Sequence, residues 1–168
     1  MKSEPSAFSI DDLVRAKREP WSGVRNFQAR NFIKEMRKGD QALFYHSSAD
    51  RIGVAGAMSI GSDPYPDPTQ FDPKSQYYDP KSRKEKPIWY LVDVCFEKKF
   101  NELIPLQEIK AHKKLQGILV TQKGSRLSIQ PVSKEHFKYI CALLSWKRRS
   151  LTGVLLWGTH KSKENRWN

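Results

Sequence analysis

The stretch "IGVAGAMSI", residues 52–60, predicts a β-strand and indicates the kind of sheet that contains it. Apolar residues recur at every second position from Ile52 to Ile60, which is the periodicity of a strand with one buried face. Gly53 and Gly56 interrupt this pattern. Interior glycines favour a bulge or a close approach of two backbones, as a tightly curved sheet requires.

Four further segments carry strand patterns. They are "QALFYH" (41–46), the β-branched and aromatic run "IWYLVDVCF" (88–96), and the pair "GILVT" (117–121) and "RLSIQ" (126–130). The last two are separated by Lys123-Gly124-Ser125, which predicts a hairpin. We therefore expect a sheet of about five to six mixed or antiparallel strands.

Helices are predicted at both ends of the chain and in one connection. Ser9 and Asp12 form a capping-box pattern for a helix over 10–18, and a second amphipathic helix is expected over 26–37. A short helix begins near Pro105, and a closing helix runs from Ser133 to about Trp146. Its buried residues would be Phe137, Ile140, Cys141 and Leu144. The fold class is α+β, with a curved, barrel-like sheet and flanking helices, because strands and long helices do not alternate.

The connection over residues 62–87 contains six prolines, which exclude regular structure over most of its length. It also contains four aromatic residues, which would be costly to leave exposed in a flexible linker. Long loops that carry their own hydrophobic anchors are usually functional or packed on the domain. We expect an ordered segment that completes one wall of a site.

The charge balance indicates the class of partner. Thirty Lys and Arg against 18 Asp and Glu give a net charge of +12, and the basic clusters are dispersed along the chain. Such a surface attracts polyanions, most simply nucleic acid. No apolar run reaches the roughly 20 residues of a membrane helix, and no signal peptide is evident. Cys95 and Cys141 fit two buried thiols, the four histidines are scattered, and no metal or cofactor is expected.

Residues 20–32, "PWSGVRNFQARNF", combine rings, amides and guanidinium groups without a single acid or Lys. This composition suits a pocket that holds a planar heterocycle between aromatic faces and reads its edge with polar groups. The helical spacing of Phe27 and Phe32 favours the core for both. Trp21 follows a proline at a helix entrance, so we expect it outside the core, facing a ligand.

Two other segments offer candidate site residues. Tyr45 and Ser47 share one strand face, and Arg126, Ser128 and Gln130 share another. His46 followed by Ser47 could act as a nucleophile–base pair, or His46 could be a structural histidine with satisfied hydrogen bonds. No hydrolase, P-loop, dinucleotide-binding or deaminase motif is present.

Taken together, six segments identify a family resemblance: "MKSEP", "WSGVRNFQARNF", "GDQALFYHS", "PYPDPTQFDPKSQYYDPKS", "WYLVDVCF" and "RLSIQPVS". In this order they resemble EVE-domain proteins over residues 1 to about 144. The resemblance implies a PUA-like curved β-barrel and a non-enzymatic module that recognises a modified nucleobase, such as a modified cytosine in DNA or a modified base in RNA, in an aromatic pocket. Independently of the resemblance, we expect no cofactor, no membrane association and a monomer.

The resemblance also implies a set of ligand-binding residues. Trp21 would stack on the base, Gly23 and Val24 would shape the entrance, and Arg25 and Asn26 would offer donors. Arg30 would support them or reach phosphate, Tyr45, His46 and Ser47 would form the opposite wall, and Tyr78 and Asp79 would form a lid. Ser128 and Gln130 complete the set.

Two features depart from the family pattern. Phe27 stands where Tyr is frequent, and residues 145–168 have no recognised counterpart. We divide the chain into a domain over 1–146 and a basic extension over 147–168, in which "GVLLW" could dock on the barrel. The rival hypotheses are an enzyme acting on a modified nucleotide or small heterocycle through His46 and Asp79, and a protein-binding scaffold. The expected location is intracellular, and nuclear in a eukaryote.

Overall fold

The computed structural model describes residues 1–48 and 50–151, with side chains up to residue 143. A five-stranded sheet has the spatial order β1-β3-β4-β7-β2, and a two-stranded sheet pairs β5 with β6. The strands are β1 (Lys2–Ser3), β2 (Arg18–Pro20), β3 (Gln41–His46), β4 (Gly53–Ile60), β5 (Tyr65–Pro66), β6 (Tyr90–Leu91) and β7 (Asp93–Pro105). The α-helices are α1 (Ile10–Ala16), α2 (Phe27–Glu35), α3 (Leu106–Ala111) and α4 (Lys134–Leu151). The predicted α+β class with a curved sheet is confirmed.

The central strand β4 shows why the sheet curls. It pairs antiparallel with both β3 and β7, and the register shifts at Phe44/Tyr45 on one side and between Val54 and Gly56 on the other. A Cβ atom at Gly56 would lie 2.5 Å from the Lys98 carbonyl oxygen, so only glycine allows this approach of two backbones. The bulge predicted from the interior glycines is confirmed.

Both N-terminal helices begin where their caps predict. Ser9 and Asp12 form a reciprocal capping box at α1. Asn26 caps α2, because its Oδ1 accepts hydrogen bonds from the amides of Gln28 and Ala29. At the other end of the chain, Ser133 Oγ accepts a hydrogen bond from the His136 amide at the start of α4.

Two hydrophobic clusters cover the two sides of the sheet. The first contains Leu13, Trp21, Ile33, Phe44 and Val94, together with other residues from α1, α2 and the strands. The second lies beneath α3 and α4 and includes Tyr45, Ile104, Ile109, Leu115 and Ile140. Phe137 and Cys141 pack against it as predicted, while the Leu144 side chain lies outside the described part of α4.

Two strand predictions are wrong in detail. Residues 117–121 and 126–130 do not form a hairpin, because Gly117 takes a left-handed φ of +86° and Leu119–Thr121 forms a 3₁₀ turn. The segment over 126–130 instead contacts the edge of the sheet through one backbone bond, from the Lys2 amide to the Ser128 carbonyl. The strand predicted over 88–96 divides at Val92, since β6 belongs to the small sheet and β7 to the large one.

The proline-rich connection is ordered, as expected, and a buried glutamine holds it together. Gln70 Nε2 donates to the carbonyls of Asp67 and Trp89. Gln70 Oε1 accepts from Ser82 Oγ and from the amides of Ile88 and Trp89. One fully buried side chain therefore joins the start and the end of the loop.

The structure describes only the first part of the C-terminal extension predicted over 147–168. Helix α4 continues to Leu151, past the domain boundary predicted at residue 146. The rest of the predicted extension, including "GVLLW" at 153–157, lies outside the described residues. No helix in the described part of the chain is long and apolar enough to cross a membrane.

Candidate nucleic-acid interface

A polar cleft of about 430 Å³ lies between the start of α2 and the segment over 119–130. Its walls carry amide side chains, two cations and two leucines. They are Asn26, Gln28, Leu119, Gln122, Lys123, Gly124, Ser125, Arg126, Leu127 and Gln130. Its volume is typical of sites for small organic ligands, about 300–1,000 Å³. Amides at the wall can read the edge of a heterocycle, and cations at the rim can meet phosphate.

Gln130 has a buried acceptor without a donor. Its Nε2 donates to Ser125 Oγ and, over 3.1 Å, to the Leu127 carbonyl, which fixes the orientation of the amide. Its Oε1 has no hydrogen-bond partner in the described part of the chain and is shielded from solvent. An unmet buried acceptor costs roughly 1–3 kcal/mol. This cost makes Gln130 the cleft residue with the most to gain from a ligand donor.

Tyr45 and Ser128 line a different space. They border an inner cavity of about 30 Å³, with Gln130 on the wall shared with the cleft. This volume admits water, which needs about 10–15 Å³, but not a nucleobase. Burial also raises the pKa of Tyr45. Tyr45 is therefore part of the second hydrophobic cluster rather than an open wall of a base pocket.

The expectation that Trp21 lies outside the core is wrong. The indole is 8% exposed and belongs to the first hydrophobic cluster. Phe44 and Phe8 contact it edge to face, with ring centroids 5.5 and 6.4 Å away. Trp21 lines neither the polar cleft nor the inner cavity. Val24 is buried in the same cluster, so these two residues stabilise the helix entrance from within.

His46 is a structural histidine. Its Nε2 accepts a hydrogen bond from the Ile10 amide at the start of α1, and its ring meets Phe44 edge to face. Burial lowers its pKa, which favours the neutral ring that this contact requires. Ser47 Oγ donates to the Ser3 carbonyl rather than to His46. The nucleophile–base interpretation of His46 and Ser47 therefore has no geometric support.

Arg25 is used within the protein. Its guanidinium donates to Asp67 Oδ2, to Thr69 Oγ1 and to the carbonyls of Val24 and Tyr77. The predicted role of Arg25 as an open donor is wrong, because these contacts occupy all three of its nitrogens. Asn26 likewise uses its Oδ1 as the α2 cap, although it borders the cleft.

Asp67, which the sequence analysis did not single out, is the centre of this network. The side chain is fully buried and also accepts hydrogen bonds from the Gly23 and Thr69 amides. Burial raises its pKa, but hydrogen bonds from Thr69, Arg25 and Gly23 outweigh burial and hold the pKa below its ordinary value. The Asp-Pro-Thr pattern at 67–69 is typical of an aspartate that caps a turn, and it was the available signal.

Asp79 and Tyr78 lie in the loop as predicted, but Asp79 is bound internally. Its Oδ2 accepts from Trp89 Nε1 at 2.7 Å and its Oδ1 from the Lys81 amide, which lowers its pKa. Tyr78 is 43% exposed. Asp79 therefore stays ionised and anchors the loop, which leaves an enzyme built on His46 and Asp79 without support from their surroundings.

Phe27, predicted in the core, is instead 60% exposed. Its ring packs on Trp89, and the Arg30 guanidinium lies 4.9 Å from its centroid. Arg30 also donates to Asn31 Oδ1 and to the Ile88 carbonyl. Phe32, by contrast, is partly buried against the first cluster as expected.

Most of the predicted ligand-binding residues do not line the polar cleft. Only Asn26 and Gln130 reach the polar cleft, while Gln28, Lys123 and Arg126 join them there. In the described residues, no group of three or more His, Cys, Asp or Glu is placed to hold a metal ion.

Comparison with known proteins shows the family to which this fold belongs. The EVE domain family model matches residues 1–143, which include both hydrophobic clusters and the whole polar cleft. The chain belongs to the EVE domain family. The resemblance inferred from the sequence segments is confirmed.

Individual relatives show the same similarity. Thymocyte nuclear protein 1 of Homo sapiens is 42% identical over 161 residues, covering 85% of this chain and 72% of that protein. The Gallus gallus protein of the same name is 44% identical, covering 85% of this chain and 66% of its own length. A crystal structure of a Pseudomonas syringae protein is 46% identical with a TM-score of 0.82, covering 85% of this EVE chain and 96% of that one.

One structural relative carries a ligand. Human THYN1 was crystallised in complex with 5-methylcytosine-containing DNA; it is 40% identical with a TM-score of 0.78. The match covers 85% of this EVE chain and 94% of that chain.

Proposed function

We propose that this EVE domain is a non-catalytic module that binds DNA and recognises a modified cytosine. The observation that carries the proposal is the similarity to human THYN1, whose structure contains 5-methylcytosine DNA. The net charge of +12 supports it, because a basic surface supplies sequence-independent affinity for the phosphate backbone. Relatives named thymocyte nuclear proteins favour a nuclear location in a eukaryotic cell.

The polar cleft is our candidate for the base site. A base in a duplex must leave the stack before a pocket can read its edge. The cleft offers Asn26, Gln28 and Gln130 for that edge, with Lys123 and Arg126 beside it for the flanking phosphates. None of its described wall residues is aromatic, so Leu119 and Leu127 would contact the base faces. The buried residues Trp21, Val24 and Tyr45 and the partly buried His46 would support the site as parts of the fold.

Gln130 gives the proposal an atom-level form. The exocyclic amino group of cytosine is a hydrogen-bond donor, and Gln130 Oε1 is an acceptor without one. Because this oxygen is shielded in the free protein, the side chain has to turn toward the cleft to meet a base. That rotation would exchange the 3.1 Å bond to the Leu127 carbonyl for a bond to the ligand. One such bond contributes about 0.5–1.5 kcal/mol, and the lost bond to the Leu127 carbonyl offsets part of it.

The test compares oligonucleotides that differ only in one base. 5-Methylcytosine and thymine share the methyl group, but one presents an amino group where the other presents a carbonyl. We expect tighter binding of the 5-methylcytosine strand than of matched cytosine and thymine strands. Gln130→Met should reduce the preference over thymine about fivefold, as a hydrogen bond of about 1 kcal/mol implies.

Gln107→Met is the matched control, because Gln107 is exposed on α3 and away from the cleft. Thermal unfolding of both variants checks that residues 125–130 remain folded. Equal binding of methylated and unmethylated strands by the wild-type protein would reject the proposed function. Tighter binding of a modified RNA strand than of the 5-methylcytosine DNA strand would indicate that RNA, rather than DNA, is the ligand.

A further inference from the structure

A row of stacked rings and guanidinium groups crosses the surface where α2 meets the proline-rich loop. The Arg30 guanidinium lies over Phe27, Phe27 packs on Trp89 with centroids 4.9 Å apart, and the Arg25 guanidinium lies over both Trp89 and Tyr77. We call these five residues the ring ladder. Tyr77 closes it at the far end by resting on Gly23.

Two rings of the ring ladder, Phe27 and Tyr77, are exposed. Of the four exposed large hydrophobic residues in the described part of the chain, three lie on or beside it: Phe27, Tyr77 and Tyr78. Trp89 is buried beneath them and is held in place by its hydrogen bond to Asp79. The ladder is therefore a fixed base that presents ring surface to solvent, which marks an interaction site more often than a folding requirement.

Several cations lie on the segments that carry these rings, and in the described part of the chain only Arg25 among the ladder cations pairs with an acid, Asp67. Arg30 hydrogen-bonds only neutral oxygens, and Lys34, one turn further along α2, lies over the Tyr90 ring. The loop segment that leads into Trp89 carries exposed Lys81, Arg83, Lys84 and Lys86. This segment is anchored at both ends, because Arg30 contacts the Ile88 carbonyl and the Lys81 amide contacts the Asp79 carboxylate. Asp79 is committed to Trp89, and Glu85 is the remaining acid of the segment over 79–88.

We propose that the ring ladder is a second nucleic-acid contact, which binds the unpaired bases of a single strand. Exposed rings flanked by cations match a strand whose bases stack while its phosphates meet Lys and Arg. A duplex would not use the rings, since its base faces are already stacked. A protein partner would have to supply acidic groups for the cations. A nucleic-acid strand supplies both phosphates for the cations and bases for the rings.

The ring ladder would bind unmodified bases, so this contact is separate from the recognition of a modified base in the cleft. The two surfaces meet at the start of α2, where Asn26 and Gln28 border the cleft and Phe27 belongs to the ladder. A strand whose modified base occupies the cleft could continue across the ladder. Either surface can nevertheless fail without the other.

The experiment measures the affinity of a labelled oligothymidylate, which carries no modified cytosine, at two salt concentrations. Phe27→Ala should weaken binding at least fivefold, whereas Phe27→Trp should match or exceed the wild type, because it keeps a stacking face. The slope of affinity against salt should stay unchanged in both variants, since no phosphate contact is lost. Arg30→Ala should weaken binding and also reduce that slope.

Val132→Ala is the control, because Val132 is the fourth exposed large hydrophobic residue and lies outside the ladder. Phe27→Leu distinguishes a stacked nucleic-acid strand from a partner that needs only an apolar surface. The variant preserves the apolar surface but removes the ring on which a base would stack. If Phe27→Leu or Phe27→Ala binds the oligothymidylate as well as the wild type, or if the wild type does not bind it, the inference is overturned. Phe27→Leu and Phe27→Trp carry the comparison even if Phe27→Ala proves unstable.

Discussion

The Arg25 guanidinium lies 2.9 Å from the carboxylate of the fully buried Asp67, and this ion pair joins the entrance of α2 to the proline-rich loop. The carboxylate also receives hydrogen bonds from Gly23 and Thr69, so every partner comes from one of these two segments. The loop is fixed by this network together with Gln70. The loop's order thus depends on two buried polar side chains rather than on regular secondary structure.

Removing Arg25 should be strongly destabilising, because Asp67 would remain as a buried charge without its cation. We expect Arg25→Ala to lower the free energy of unfolding by about 3 kcal/mol, at the lower end for a broken buried pair because Arg25 is partly exposed. Urea unfolding at neutral pH measures the change. Arg15→Ala, which breaks the exposed pair with Asp12, is the comparison and should cost clearly less, because solvent screens that pair. Equal losses in the two variants would contradict a buried, structural role for Arg25.

His46 should make stability depend on pH. Burial lowers its pKa in the folded protein, with a smaller opposing effect from Asp11 and a small lowering effect from Lys99. The unfolded chain therefore binds a proton near pH 6.5 that the folded chain resists. Stability due to His46 is fully present above pH 6.5 and is lost as the pH falls through the lowered folded value.

The measurement is urea unfolding of the wild type and His46→Gln at pH 7.5 and 5.5. Glutamine retains an acceptor for the Ile10 amide but does not titrate. We expect the wild type to lose more stability than His46→Gln between the two pH values. The same slope in both proteins would show that other groups carry the acid sensitivity.

Trp21 shows how far a local pattern can mislead. Its neighbours along the chain, Pro20 and Gly23, are typical of a loop, and that is where the sequence placed it. What buries it is Phe8 from before α1 and Phe44 from β3, which only the fold brings together. The ring ladder was missed for the same reason, since its members come from two segments about fifty residues apart.

Local signals, by contrast, were sufficient for the helix starts and the curl of the sheet. Ser9 and Asn26 cap their helices through neighbours within three residues, and Gly56 is required by one close backbone contact. The hairpin predicted near residue 124 is wrong because its local pattern does not show what its apolar residues pack against. Its alternating apolar residues fit strands, but Ile118 and Val120 pack in the second hydrophobic cluster, whereas Leu127 and Ile129 pack in the first.

Burial of Trp21 predicts a loss of stability instead of a selective loss of binding. Trp21→Ala should reduce the free energy of unfolding by about 3–5 kcal/mol, as large-to-small changes of aromatic core residues do. Trp21→Phe keeps an edge-to-face partner for Phe44 and should cost clearly less. Thermal and urea unfolding separate the two. A stable Trp21→Ala variant that loses only its preference for modified strands would restore the exposed stacking role.

Gly23 combines two constraints that a matched pair of variants can separate. Its φ of +81° is left-handed, and a Cβ atom there would lie 2.6 Å from the Tyr77 ring. Gly124 has a similar φ of +76°, and a Cβ atom at that position would have no neighbour within 4 Å. Gly124→Ala should therefore cost only the backbone penalty of about 1–2 kcal/mol.

Gly23→Ala should have the same backbone cost and should also displace Tyr77. Its loss of stability should therefore exceed that of Gly124→Ala. Adding Tyr77→Ala to Gly23→Ala tests the origin of the excess. If the ring is the obstacle, the double variant should lose less than the sum of the two single changes, because the clash disappears with the ring. Additive losses in urea unfolding would place the whole cost of Gly23→Ala in the backbone and leave the ring ladder independent of Gly23.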